Sequence, residues 1–305
     1  MNKKLIYLAM AAVWLSSCSS DEAPVPTPAE TLTPAAPTVM VLTASIGDGE
    51  TTRGAQDVQT TSFDVGELIN VECTPSGGTM QATVYRAGTA DSDNRNELTP
   101  YSRALTWPSK GTVSLRAYYP STVSSSQTSF SVQPDQSATD NSTYKESDLM
   151  YAVPVIDQAK TSSVPLTFRH ALSKVVINLT AGTGLTDEDL SNCAVAVKAC
   201  RSVDITNGIA DADTASDIDW IPIGTGAATA GIIVPQTVDG STTPQPFVRV
   251  TLAGRDYFYK FTIRKSFAGR MKYTYTLTVN HGGEISLIKA EITDWMEEIE
   301  IVQNI

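Results

Sequence analysis

Hydrophobic and polar residues alternate with a period of two over most of this chain. Val164, Leu166, Phe168 and His170 share one face of a run whose other face carries Pro165, Thr167 and Arg169, the pattern of a half-buried strand. This run predicts a strand leading into a tight helical turn, with a second strand at 174–180 that turns Val175, Ile177 and Leu179 inward. Just upstream, 148–152 reads as a short buried strand and 155–163 as a polar connection. Similar runs bounded by turn-forming residues predict strands at 39–46, 68–73, 80–85 and 112–119, then at 193–199, 230–234, 247–252, 257–263, 273–279 and 285–292. A helical period is nearly absent. Residues 185–190 predict one short turn, capped by Thr186 with Asp189 three residues on.

Strands on both sides of the central run place a join between two β domains near residue 160, giving units at 39–160 and 161–305. A length of 305 residues agrees with about two domains. Two sheets packed face to face in each unit is the architecture this pattern favours. The segments 47–61, 87–96 and 121–127 are polar and read as exposed loops.

The beginning of the chain is read apart from the fold. Lys3 and Lys4 precede the apolar run 5–15, which is too short for a permanent membrane span, so 1–17 reads as a signal peptide. Leu15-Ser16-Ser17-Cys18 resembles a bacterial lipobox, which makes Cys18 the expected lipid attachment point and outer-membrane anchor. Acyl chains contribute about 0.8 kcal/mol per buried CH₂. Ser19-Ser20-Asp21-Glu22 resembles the surface-export signals of Bacteroidetes lipoproteins, and 18–38, with five prolines from Asp21 to Pro37, reads as an extended tether.

Composition then narrows the function. Hydrophobic residues make up 41% and charged residues 18%, as in a folded globular protein. Lys and Arg number 22 against 33 Asp and Glu, for a net charge of -11, and the basic residues are scattered. Binding nucleic acid needs a concentrated cationic patch, so that partner is not expected. Beyond Cys18 the chain has Cys73, Cys193 and Cys200, with no metal-ligand spacing. A strand over 194–199 would hold Cys193 and Cys200 roughly 20 Å apart, too far for a disulfide, so free thiols are expected.

Candidate chemistry is sparse. The two histidines are His170, on an inward strand face, and His281, in Asn280-His281-Gly282-Gly283; neither pairs with an evident nucleophile. The acidic run from Asp211 to Asp219 lacks the Gly and Glu of a calcium loop and reads as a solvated loop. Asp213-Thr214-Ala215 is similar to a three-residue O-glycosylation acceptor, and Gly224-Thr225-Gly226 has neither the Lys nor the helix of a phosphate loop. Tyr257, Phe258, Tyr259, Tyr273 and Tyr275 offer either a sugar-stacking platform or a sandwich core, and alternation on facing strands favours the core. No enzyme activity, cofactor or metal is expected.

Several segments together resemble the fimbrillin-like lipoproteins of Bacteroidetes, which are pilus subunits or accessory proteins. They are Ser147-Asp148-Leu149-Met150-Tyr151-Ala152, the run from Val164 to Val175, Ile233-Val234-Pro235-Gln236-Thr237, the run from Phe267 to Leu277, and Ile292-Thr293-Asp294-Trp295. The resemblance implies an all-β fold of two transthyretin-like, Greek-key sandwiches in tandem. It implies a surface-exposed outer-membrane and fimbrial location, with other pilin subunits as partners and a host glycan or protein as a candidate ligand. It also implies proteolytic maturation after a basic residue, which maps onto Arg53-Gly54. Cutting there would free the strand 39–46, and an incoming strand would replace it. The candidate donor is 296–305, where Ile299, Ile301 and Ile305 alternate with Glu298, Glu300 and Val302. The alternative function is a surface adhesin lipoprotein that does not polymerise.

Overall fold

The computed structural model describes residues 38–47, 61–283 and 285–295. Cys18, the tether, Arg53, Gly54 and 296–305 lie outside the described residues. The first elements in chain order are β1 (Leu42–Ile46), β2 (Leu68–Pro75), β3 (Gln81–Ala90), β4 (Asn96–Pro100), β5 (Val113–Tyr119), β6 (Ser129–Ser131), α1 (Ser142–Ser147), β7 (Met150–Ala152), β8 (Val155–Gln158) and β9 (Val164–His170). There follow β10 (Ser173–Ala181), α2 (Asp187–Leu190), β11 (Ala194–Thr206), β12 (Ile209–Thr225), β13 (Ala228–Ile233), β14 (Gln236–Asp239), β15 (Gln245–Leu252), β16 (Arg255–Phe261), β17 (Arg264–Phe267), β18 (Met271–Val279) and β19 (Ile285–Asp294). The fold is all-β, with several sheets.

The first strands close on themselves. They pair in the order β2-β3-β4-β1-β9-β7-β5, and β5 pairs back to β2, so seven strands make a barrel-like sheet with β8 attached to β5. Face-to-face sheets were expected here. Alternation fixes which side chains point inward but not which strand lies next to which, and β2 uses both its edges, one on β3 and one on β5. Leu42, Ile69, Val71, Leu115, Leu166 and Phe168 fill the interior and are fully buried.

The later strands form two main sheets, β13-β10-β18-β19 and β12-β11-β15-β16, with β6 joined to β11 and with β14 and β17 paired separately. Their inward residues, among them Val175, Ile177, Val197, Ile221, Phe247 and Leu277, share a second core.

Several expectations are corrected. β9 belongs to the first sheet, because β1 takes one of its edges and β7 the other. The chain therefore passes from one core to the other at Ala171 and Leu172 rather than near residue 160, through a bend and not a helical turn. The stretch 155–163, read as a connection, contains β8, which finds the edge of β5. The acidic run 211–219 is part of β12, not a loop. It pairs with β11 in a long hairpin whose turn residues Asn207 and Gly208 have φ of 51° and 81°, the geometry of a primed hairpin turn. Gly208 is required there, because a Cβ would meet that of Tyr151 at 2.8 Å. Arg116 of β5 donates to Asn207 Oδ1 at 2.7 Å, so the hairpin tip reaches back to the first sheet. The segment between β5 and β7 also crosses over, since Val123, Phe130, Val132, Tyr144 and Leu149 belong to the second core. The short turn at α2 forms as expected, with Thr186 and Asp189 making a reciprocal capping box.

Candidate functional site

The strand expected to leave on maturation, β1, is held on both edges. Leu42 to Ile46 pair in parallel with Val164 to Phe168 of β9, and Leu42, Thr43 and Ala44 pair antiparallel with Leu98, Glu97 and Asn96 of β4. Beyond the ladder, Met40 N donates to Leu105 O at 2.8 Å, Trp107 N to Thr38 O at 2.8 Å, and Gly47 N to Phe168 O at 2.8 Å. Met40, Leu42, Ala44 and Ile46 are each no more than 2% exposed. Burying a large aliphatic side chain contributes about 1.5–3 kcal/mol, so β1 is held mainly by three such side chains and by its ladder.

The link from β1 to the rest of the sheet starts and ends in one place, because Ile46 N donates to Thr61 O at 3.0 Å. Arg53 and Gly54 lie in the sequence between these points. The returning chain is fixed without help from the link. Phe63 N donates to Asn96 Oδ1 at 2.9 Å, Asn96 Nδ2 donates to Phe63 O at 2.9 Å and to Gly88 O at 2.8 Å, and the Phe63 ring meets Phe168 edge-on at 5.0 Å. Asn96 is fully buried, so its amide is matched on both ends, as burial demands.

The last described residue, Trp295, roots the segment 296–305. Its N donates to Arg270 O at 2.8 Å, and its indole stacks on His170 with ring centres 3.8 Å apart and planes 5° from parallel. His170 Nδ1–H in turn donates to Asp148 Oδ1 at 2.8 Å, with both side chains fully buried. Lys174, also fully buried, lies 5.6 Å from the Trp295 ring and 5.7 Å from that of Tyr144. Buried charge is tolerated only when paired and solvated by such groups, so this cluster locks the root of the tail to the end of β9. His170 lies on the inward face that the alternation assigned it, with Nδ1 engaged by Asp148 and Nε2 buried without a hydrogen-bond partner among the described residues. Its partner Trp295, distant in sequence, gave no such signal.

The other candidates hold no chemistry of their own. His281 is exposed in its turn. Cys73, Cys193 and Cys200 are free thiols, the first two buried and the third half-buried, and burial pushes all three thiols up from their ordinary range. Tyr257, Tyr273 and Tyr275 are core residues and Tyr259 packs against them, whereas Phe258 points outward. A cleft of about 690 Å³ beside Pro120 includes Glu67 and Glu146 in its wall. Glu67 is already engaged there, accepting from Tyr119 OH at 2.8 Å and pairing with Lys145 Nζ at 3.2 Å. Among the described residues no group of three His, Cys, Asp or Glu side chains is placed to hold a metal ion, and no helix is long and apolar enough to cross a membrane.

The fold and this embedded strand can be set beside known proteins. The family model described as fimbrillin-like matches residues 52–295, so the chain belongs to the fimbrillin-like family. Both β1 and the segment 296–305 lie outside the matched interval. A crystal structure of a candidate cell adhesion protein from Bacteroides uniformis ATCC 8492 superposes with a TM-score of 0.63 at 21% identity, covering 84% of this chain and 98% of the other. Another, from Bacteroides ovatus ATCC 8483, gives 0.61 at 17% identity over 87% and 100%. Comparison with curated protein sequences gives no match. Membership gives the chain a pilus-related role at the cell surface.

Proposed function

We propose that this chain is a structural or accessory subunit of a surface pilus, exported as a lipoprotein through Cys18 and assembled by replacement of β1. The observation that carries the reading is the position of β1, buried inside the closed sheet while the link that follows it returns to its starting point at Thr61. A cut after Arg53 would leave β1 attached by noncovalent contacts alone. Its loss would unpair one edge each of β4 and β9 and uncover the apolar floor beneath Leu42 and Ile46, a costly state that an incoming strand reverses. The donor is 296–305 of a neighbouring subunit, in which Ile299, Ile301 and Ile305 keep the period of two that Met40, Leu42, Ala44 and Ile46 use to face inward. The two cores are read as two Greek-key, transthyretin-like units in tandem, the first closed into a ring by β1. The protein acts by binding and assembly, not by catalysis.

Three variants test the parts. Cys18→Ala should release the protein from the membrane fraction and abolish acyl labelling. Arg53→Ala should leave the precursor at full size. Deletion of 296–305 should remove SDS-resistant ladders while leaving processing intact. Ladders that persist after the deletion would exclude the tail as donor, and unchanged processing of Arg53→Ala would move the cut elsewhere.

A further inference from the structure

The outer face of the sheet β12-β11-β15-β16 carries rings that neither core uses. Trp220 of β12 and Phe258 of β16 lie on this face with ring centres 5.8 Å apart, although two strands separate them in the sheet. They can meet because Ala196 of β11, opposite Arg249 in the register, has only a methyl group to fill the space between. Ala196 is 4% exposed although it faces outward. Phe258 is 38% exposed and Ile218, two residues before Trp220, is 60% exposed, so the rings form a shallow open shelf and not a sealed cluster.

Cations surround this shelf. Arg249 lies opposite Phe258 in the ladder and holds its guanidinium 4.9 Å from the centre of the Trp220 ring. Lys198 lies opposite Trp220, and Lys260 sits two residues beyond Phe258 on the same face. None of the three forms an ion pair among the described residues. The carboxylates here are engaged by hydroxyls instead, Asp256 accepting from Thr251 Oγ1 and Asp217 from Ser202 Oγ. A chain of net charge -11 thus keeps three unpaired cations around one half-buried ring and one exposed ring.

We infer that this face is a binding site for a saccharide bearing an anionic group. The C–H face of a pyranose stacks on the exposed Phe258 ring, beside the indole of Trp220 that carries the Arg249 guanidinium. The guanidinium of Arg249, oriented by the indole, presents its fork of N–H donors to a carboxylate or sulfate on that sugar. Lys198 and Lys260 add charge without fixing geometry. The surface is the wrong shape for a small apolar ligand, which needs a concave pocket. Its charge complements an anionic partner, whereas pairing this face with the same face of a second copy would bring like charges together. The inference does not depend on strand replacement, since a single unassembled subunit carries the whole face.

The full chain, purified in detergent, would be titrated by calorimetry with three hexasaccharides: one alternating glucuronic acid and N-acetylglucosamine, its sulfated counterpart, and a neutral glucose oligomer. The expected result is binding of at least one charged ligand with affinity at least tenfold above the neutral one; the charged arm that wins identifies carboxylate or sulfate as the anchor. Arg249→Gln and Trp220→Ala should each weaken binding at least tenfold, and Phe258→Ala and Arg249→Lys about threefold, the last because charge survives while the fork is lost. These two milder variants carry the test if either of the others fails to fold. Equal affinity for the neutral ligand, wild-type binding by the variants, or no saccharide binding at all would each overturn the inference. Self-association in sedimentation that Trp220→Ala abolishes, without saccharide binding, would assign the face to a second copy instead.

Discussion

β1 and β10 hold equivalent places in the two halves of the molecule, yet they are joined to the rest of the chain differently. Each lies between an antiparallel neighbour and a parallel one. β1 makes three antiparallel pairings with β4 and five parallel pairings with β9, while β10 makes six with β13 and eight with β18. A parallel neighbour cannot be reached by a tight hairpin and needs a long connection. For β10 those connections run through α2 and the strands that build the second core. For β1 the following link comes back to its own starting point, so nothing in the second core depends on it. On the proposed mechanism, what would let β1 be exchanged is its connectivity, because both strands bury their inward side chains equally well.

The sharpest way to break this comparison is to place a charge at the centre of each strand. Ile177→Asp should leave no folded protein, because an unpaired carboxylate in the second core costs more than the several kcal/mol by which a domain is stable. Leu42→Asp should expel β1 yet leave the second core intact, seen by limited proteolysis as a protected fragment that begins within the first half. Complete loss of structure in Leu42→Asp would show that the two cores stand or fall together.

A smaller effect should appear at high pH. Burial pushes the phenols of Tyr259, Tyr273 and Tyr275 up from their ordinary range, that of Tyr275 most. Burial also raises Tyr85 in the first core, although the hydrogen bond that Leu105 N donates to its oxygen lowers it. A phenol with a raised pKa in the folded chain contributes stability that is complete below the unfolded value of about 10 and is lost as pH climbs above it. Denaturant midpoints should thus hold from pH 7 to near 10 and then fall. Tyr275→Phe should flatten that fall more than Tyr85→Phe, and equal flattening would mean that the two cores share the alkaline weakness.

The least effect concerns α2. Thr186→Ala should remove about 1 kcal/mol, measured by chemical unfolding. Asp189 accepts from the Thr186 side chain and backbone, which hold its carboxyl below the usual range. Its contribution is therefore present above the unfolded value and lost as pH falls through the lowered folded one. The difference between wild type and Thr186→Ala should narrow under acid; a constant difference would uncouple cap and carboxylate.

The capping pair was legible because its two residues are three apart, and the inward face of β9 because strict alternation leaves one arrangement that buries Leu166 and Phe168. Pairing was not legible. β1 finds β9 across more than a hundred residues, and no local pattern says that β5 returns to β2 and closes a ring. The acidic stretch of β12 misled for a physical reason: it lies on a sheet edge where only the small Ala210 and Ala215 pack toward the core while Asp211, Asp213, Asp217 and Asp219 face water, so its pattern resembles a loop. At the candidate site, the strand itself and His170 could be read from sequence. The stack of Trp295 on His170 and the meeting of Trp220 with Phe258 could not, because each joins residues whose proximity only the completed sheets create.

The place of β1 also has a mechanical meaning. Its hydrogen bonds run across the strand axis to β4 on one side and β9 on the other. A pull along that axis strains all eight pairings together, as shear, whereas a pull across it would peel them one at a time. Any strand seated in this slot is therefore loaded in its strongest direction when tension runs along it. A fibre joined through such slots would resist stretching by the same ladders that let it assemble.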